Sequence, residues 1–119
     1  MYKRQGFGLL NLCRRLTARG VAHGGVSIAF RKNTSELNQI HLSNPEEFEV
    51  LVSAGSLRGH AKKLVVIACY IPPNYIVPRA KACLDWITDA VLEVRRRFTD
   101  PYIIVGGDFN QWDLSLIHI

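Results

Sequence analysis

"LVVIACYIPP", residues 64–73, decides how the chain is read. Leu64 to Ile71 is apolar throughout and leaves no face for water, the mark of a central strand covered on both sides. Pro72 and Pro73 stop it, because proline has no N–H to give a ladder. The period then changes. Ala80, Leu84, Ile87, Val91, Val94 and Phe98 recur at steps of three and four. That spacing predicts an amphipathic helix over 79–98, about five turns at roughly 3.6 residues per turn. Pro78 stands at its entry, and Thr99, Asp100 and Pro101 end it. A second apolar run, Tyr102 to Val105, reads as another buried strand. If both strands lie in one sheet they run parallel, joined by a right-handed crossover. Parallel strands end on the same edge, so Tyr70, Asp108 and Asn110 are expected at one rim. Ligand sites of open α/β sheets lie outside such strand ends.

The upstream half has strand-like alternation. In "GGVSIAF", residues 24–30, Val26, Ile28 and Phe30 point one way while Gly25, Ser27 and Ala29 point the other. Residues 31–46 are polar, with Asn33, Ser35, Asn44 and Pro45, and read as a loop holding a short edge strand near Gln39 to Leu42. Residues 47–53 alternate again, with Phe48, Val50 and Val52 on one face. Gly55 to Gly59 reads as a hairpin connection. No repeat or low-complexity segment interrupts the pattern.

Bulk properties narrow the class. The chain has 119 residues, 48% hydrophobic and 21% charged, which suits a packed domain or part of one and excludes a disordered tail. Its longest apolar run is far shorter than the roughly 20 residues a membrane-spanning helix needs, so no membrane partner is expected. Cys13, Cys69 and Cys83 lack metal-ligand spacing, and Cys69 and Cys83 sit inside apolar patterns, which favours a reducing, intracellular setting. The formal net charge of +5 points weakly to a polyanionic partner. The basic clusters at Arg14, Arg15 and Arg19, at Lys62 and Lys63, and at Arg95 to Arg97 read individually as solvated faces or helix ends.

The chemistry sits in "YIIVGGDFNQWD", residues 102–113. Gly106 and Gly107 let the backbone turn and approach a ligand closely. Asp108 can act as a general base or hold a metal-bound water, and Asn110 can donate to an oxyanion. A Tyr70 hydroxyl at the same rim can donate to a phosphate oxygen. Gly-Gly-Asp also makes ordinary turns, so these residues alone leave a structural role open.

Taken in order, "GGVSIAF", "VVIACYIPPNY" and "YIIVGGDFNQWD" resemble the endonuclease/exonuclease/phosphatase family. The likeness is greatest to the apurinic-endonuclease-like domains of non-LTR retrotransposons, which nick DNA to prime reverse transcription. It spans about residues 19–113, and the GDFN motif after a buried strand is its most specific part. The resemblance implies an α/β fold, part of a four-layer α/β sandwich with a mixed β-sheet and a flanking helix. It assigns the catalytic Asp to Asp108, its Asn partner to Asn110 and the phosphate-contacting tyrosine to Tyr70. It further implies Mg²⁺ or Mn²⁺ as cofactor, DNA as partner, a reverse-transcriptase domain downstream in the parent protein, and a nuclear location in a eukaryotic host. Two other readings stay open: a phosphatase or lipid phosphodiesterase of the same family, and a non-catalytic α/β binding module.

The sequence departs from the family pattern at several places. Many relatives carry Asn where Pro73 stands. The metal-binding Glu expected upstream has no counterpart, since residues 1–23 contain no Asp or Glu. The late Asp-His pair is also missing, because Asp113 and His118 have the wrong spacing. His23, His41 and His60 fall in loops or strand approaches and read as solvated.

The two ends are related to each other. "YKRQ", reverse-translated as TAT AAG AGA CAG, has a reverse complement that encodes Leu-Ser-Leu-Ile, the residues from Leu114 to Ile117. Residues 1–5 and 114–119 are therefore expected to be adaptor-derived, with the natural sequence at 6–113. On that expectation the chain is a fragment of an endonuclease domain, inactive as it stands.

Overall fold

The computed structural model describes residues 6–12, 25–43, 48–73 and 75–110. Strands β1 (Phe7–Leu12) and β2 (Val26–Arg31) form an antiparallel pair. Strands β3 (Ser35–Gln39), β4 (Glu49–Leu57), β5 (Lys63–Tyr70) and β6 (Tyr102–Asp108) form a mixed sheet in that spatial order. Helix α1 (Val77–Arg97) connects β5 to β6, and these two strands run parallel, as the change of period predicts. The layers are helix, mixed sheet and two-stranded sheet, so the fold is α/β with a mixed sheet and a flanking helix.

Strand β5 shows why an unbroken apolar run belongs at the centre. Its odd residues, Val65, Ile67 and Cys69, pack with Cys83, Leu84, Ile87 and Val91 on the helix side. Its even residues, Leu64, Val66 and Ala68, pack with Ile28, Leu37 and Leu51 on the side of the two-stranded sheet. Ile67 is wholly out of solvent, and such burial contributes about 2 kcal/mol. Truncating it to Ala would cost about 2–5 kcal/mol, because a cavity adds to the lost transfer energy. Among the described residues Ser53 is the buried polar one, and its hydroxyl donates to the Val66 carbonyl at 3.1 Å.

Helix α1 begins two residues earlier than the periodicity predicts, at Val77, with Pro78 in its first turn where a missing N–H costs nothing. Its end is closed by the Phe98 N–H donating to the Val94 carbonyl, with Arg95, Arg96 and Arg97 favourably placed against the helix dipole. No described helix is long and apolar enough to cross a membrane.

One strand is added and three expectations are corrected. Strand β1 carries no expected strand signal, and it forms because its backbone pairs with the well-patterned β2. The edge strand in the polar region lies at Ser35–Gln39 rather than Gln39 to Leu42, since pairing places Ser35 opposite Leu57 and buries Leu37. Strand β4 runs through Gly55 to Leu57, and the turn waits until Arg58 and Gly59. Glycine suits Gly55 because a Cβ there would lie 1.6 Å from the Glu36 carbonyl oxygen, closer than any real contact. Finally, β6 is not buried. Tyr102 and Ile104 are 38% and 54% exposed, because β1 and β2 lie over β3 and β4, and β2 also over β5.

Candidate functional site

The strand register brings the expected residues together. Tyr70 is the Cα partner of Asp108 across the parallel β5–β6 pair, so both side chains leave the sheet on one face and at one rim. Asn110 follows two residues later. The two exits are stitched to each other: the Ile71 N–H donates to the Asp108 carbonyl at 2.9 Å, and Asn110 Nδ2 donates to the Ile71 carbonyl at 2.6 Å. The Asn110 N–H in turn donates to Asp108 Oδ1 at 3.0 Å, closing a short Asx-type turn.

These bonds give the motif a structural part. Asn110 adopts a left-handed backbone, φ 49°, a conformation that Asn tolerates better than most residues. One of its amide hydrogens is committed to the protein, leaving the other and the carboxamide oxygen for a ligand. Asp108 is exposed, and with Oδ1 held by the Asn110 N–H its Oδ2 remains to accept a proton or a hydrogen bond from water. Gly107 earns its place by close approach. Its φ is +142°, and a Cβ would fall 1.8 Å from the Cys69 carbonyl oxygen. A Cβ at Gly106 would meet nothing within 4 Å.

Register adds one residue that the motifs do not signal. Glu49 is the β4 partner of Tyr70, so Glu49, Tyr70 and Asp108 form one row across three strands. Both Glu49 carboxylate oxygens are shielded from solvent. Nothing in a motif marks Glu49; only strand pairing does. Even with it, no group of three or more His, Cys, Asp or Glu side chains among the described residues is arranged to hold a metal ion. The described residues therefore do not by themselves make the expected Mg²⁺ site. Tyr70 is half-buried.

The remaining expected residues fall elsewhere. His41 and His60 are exposed, and His60 sits edge-on to Tyr102, with Nδ1 3.5 Å from its hydroxyl, at the opposite pole of the sheet from Asp108. Lys62 is in that polar group too, paired with Asp100 at 2.8 Å, which raises the lysine pKa and lowers that of the carboxyl. Both are surface groups, so the pair contributes little to stability. Residues 1–5, Cys13, Arg14, Arg15, Arg19, His23 and residues 111–119 lie outside the described residues, and with them the two ends expected to be adaptor-derived.

Neither a family model nor a curated protein matches the chain. Among solved structures it is similar to truncated Caenorhabditis elegans TDP2, with a TM-score of 0.59 at 14% identity. That likeness covers 95% of this chain but 44% of the other, so this chain spans less than half the length of its structural neighbour. At such identity the likeness shows the fold alone: an endonuclease/exonuclease/phosphatase-type α/β arrangement.

Proposed function

We propose that this chain is part of a Mg²⁺-dependent endonuclease domain that hydrolyses DNA phosphodiester bonds, of the kind non-LTR retrotransposons use to nick their targets. The observation that carries the reading is the Tyr70–Asp108 register pair at one rim of an endonuclease/exonuclease/phosphatase-type sheet. The retrotransposon type rests on the order of "GGVSIAF", "VVIACYIPPNY" and "YIIVGGDFNQWD" in the sequence. DNA as substrate and a reverse-transcriptase domain as neighbour rest on the same resemblance.

In this reading Asp108 takes the proton of the attacking water through Oδ2, while the Asn110 N–H fixes Oδ1 and so fixes the carboxylate plane. Asn110 holds the exits of β5 and β6 together through Ile71 and offers its remaining amide hydrogen to a phosphoryl oxygen. The Tyr70 hydroxyl donates to a second phosphoryl oxygen. A bound Mg²⁺ would supply charge neutralisation at the phosphate. General-base help of this kind contributes about 10²–10⁴-fold in rate.

The test compares a nicked-plasmid assay with hydrolysis of a phosphomonoester and an inositol phospholipid, using the full-length protein that contains this chain. Nicking alone, lost in Asp108→Asn, supports the reading. Preferential turnover of either of the other substrates replaces it with a phosphatase or lipid phosphodiesterase.

A further inference from the structure

Cys69 and Cys83 meet inside the helix–sheet layer. Their sulfurs are 3.9 Å apart, Cys69 is 1% exposed and Cys83 is 0% exposed. Cys69 belongs to β5 and directly precedes Tyr70, while Cys83 is on α1, so the pair joins two elements distant by 14 residues. We propose that these two thiols form an oxidation site for a small peroxide, closing an intramolecular disulfide that ties α1 to the end of β5.

Burial alone would make them two small apolar residues. Two further observations distinguish this pair. First, the sulfurs are already in contact and need only close to about 2.05 Å for a bond. Second, the two are not equivalent. Hydrogen bonding with Cys69 depresses the Cys83 pKa against the effect of burial, helped by the Arg79 guanidinium one turn earlier on α1. Cys69 is the partner that keeps its proton, and its pKa is raised by that hydrogen bond and by burial. An electropositive neighbour that stabilises thiolate is the usual requirement of a reactive cysteine.

The chemistry balances with hydrogen peroxide as oxidant. Cys83 gives up its proton and its thiolate attacks one peroxide oxygen; the O–O bond breaks, and the departing hydroxide takes that proton as water, leaving a sulfenic acid. The Cys69 thiol then attacks the Cys83 sulfur. An S–S bond forms, the S–O bond breaks, and the departing hydroxide takes the Cys69 proton as water. The two thiols lose two electrons and two protons, and peroxide becomes two waters. Because both sulfurs are shielded, a small uncharged oxidant reaches them and a bulky disulfide such as oxidised glutathione does not. This inference stands on the thiol geometry and is independent of the phosphodiesterase reading.

The test uses the full chain, treated in parallel with hydrogen peroxide and with oxidised glutathione, then alkylated and digested with trypsin. Cys69 and Cys83 fall in separate peptides, residues 64–79 and 82–95, and Cys13 falls in a third, so mapping needs no further variant. With peroxide the two peptides appear joined and monomeric, two mass units below their sum. In Cys69→Ser, Cys83 accumulates as a sulfenic acid trapped when the chain is unfolded in dimedone, while in Cys83→Ser, Cys69 stays a thiol. Oxidised glutathione leaves both reduced. The proposal is overturned if both thiols survive peroxide levels that oxidise a free cysteine peptide. It is equally overturned if glutathione links them as fast as peroxide does, since opening of the core would then be the route.

Discussion

Asn110 is bonded to Ile71, 39 residues earlier, through a 2.6 Å hydrogen bond from its side-chain amide to the Ile71 carbonyl. That one bond clasps the ends of the two parallel strands whose last residues, Tyr70 and Asp108, face each other in register. The Asn of the GDFN motif therefore builds the site before it does anything to a ligand.

The clasp has a stability signature. Asn110→Ala removes the bond and replaces Asn with a residue that tolerates the left-handed region less well, costing about 1 kcal/mol for each effect. Asn110→Gly removes the bond but adopts the left-handed conformation without steric cost. Urea unfolding should rank the variants native, Gly, Ala, and an Ala variant as stable as the Gly variant would remove the left-handed requirement.

The two glycines before Asp108 should behave differently. Gly107→Ala drives a Cβ against the Cys69 carbonyl, and a backbone clash of that size should destabilise by at least about 2 kcal/mol. Gly106→Ala meets open space and should stay within about 0.5 kcal/mol of the parent. Equal melting temperatures for the two variants would contradict the packing of β6 on β5.

Much of this arrangement was legible in sequence, for identifiable reasons. The β5–α1–β6 crossover is readable because an apolar run, a 3.6-residue period and flanking prolines each mark one element. Strand β1 and the true extent of β4 were not, since they are set by pairing with partners rather than by their own alternation. Gly55 looks like a turn residue, yet it is glycine for the close approach of the Glu36 carbonyl. Glu49 carries no signal of its own for the same reason: only register with Tyr70 places it at the rim. The exposure of Ile104 was hidden too, because a local apolar pattern does not say how far the facing sheet extends.

Ile104 and Tyr102 offer an apolar strip on β6. Ile104→Thr keeps β-branching while reducing that strip, so it should lower self-association at high concentration with little change in stability. Sedimentation velocity checks this, and unchanged association would show that the strip is not the contact.

Glu93 ties α1 to the segment before β4. Its carboxylate accepts the Ser43 N–H at 3.0 and 3.1 Å and pairs with Arg97. Burial alone would raise its pKa, but the Ser43 bond and Arg97 outweigh it and leave the pKa below the usual 4.5. A depressed carboxylate contributes stability that is fully present above its unfolded pKa and lost as pH falls through the folded one. Glu93→Gln should therefore cost about 1 kcal/mol near neutral pH, with the gap to the parent closing as pH drops below 4.5. A gap that holds constant to low pH would show that charge plays no part.

The most direct test of the central claim is plasmid nicking by Asp108→Asn in the full-length protein containing this chain, with Mg²⁺ supplied. Asn keeps an acceptor for the Asn110 N–H, so the turn survives while the base is lost. The account predicts an unchanged melting temperature and a fall in nicking of at least about 10²-fold. Nicking that persists undiminished in a folded Asp108→Asn protein would contradict it.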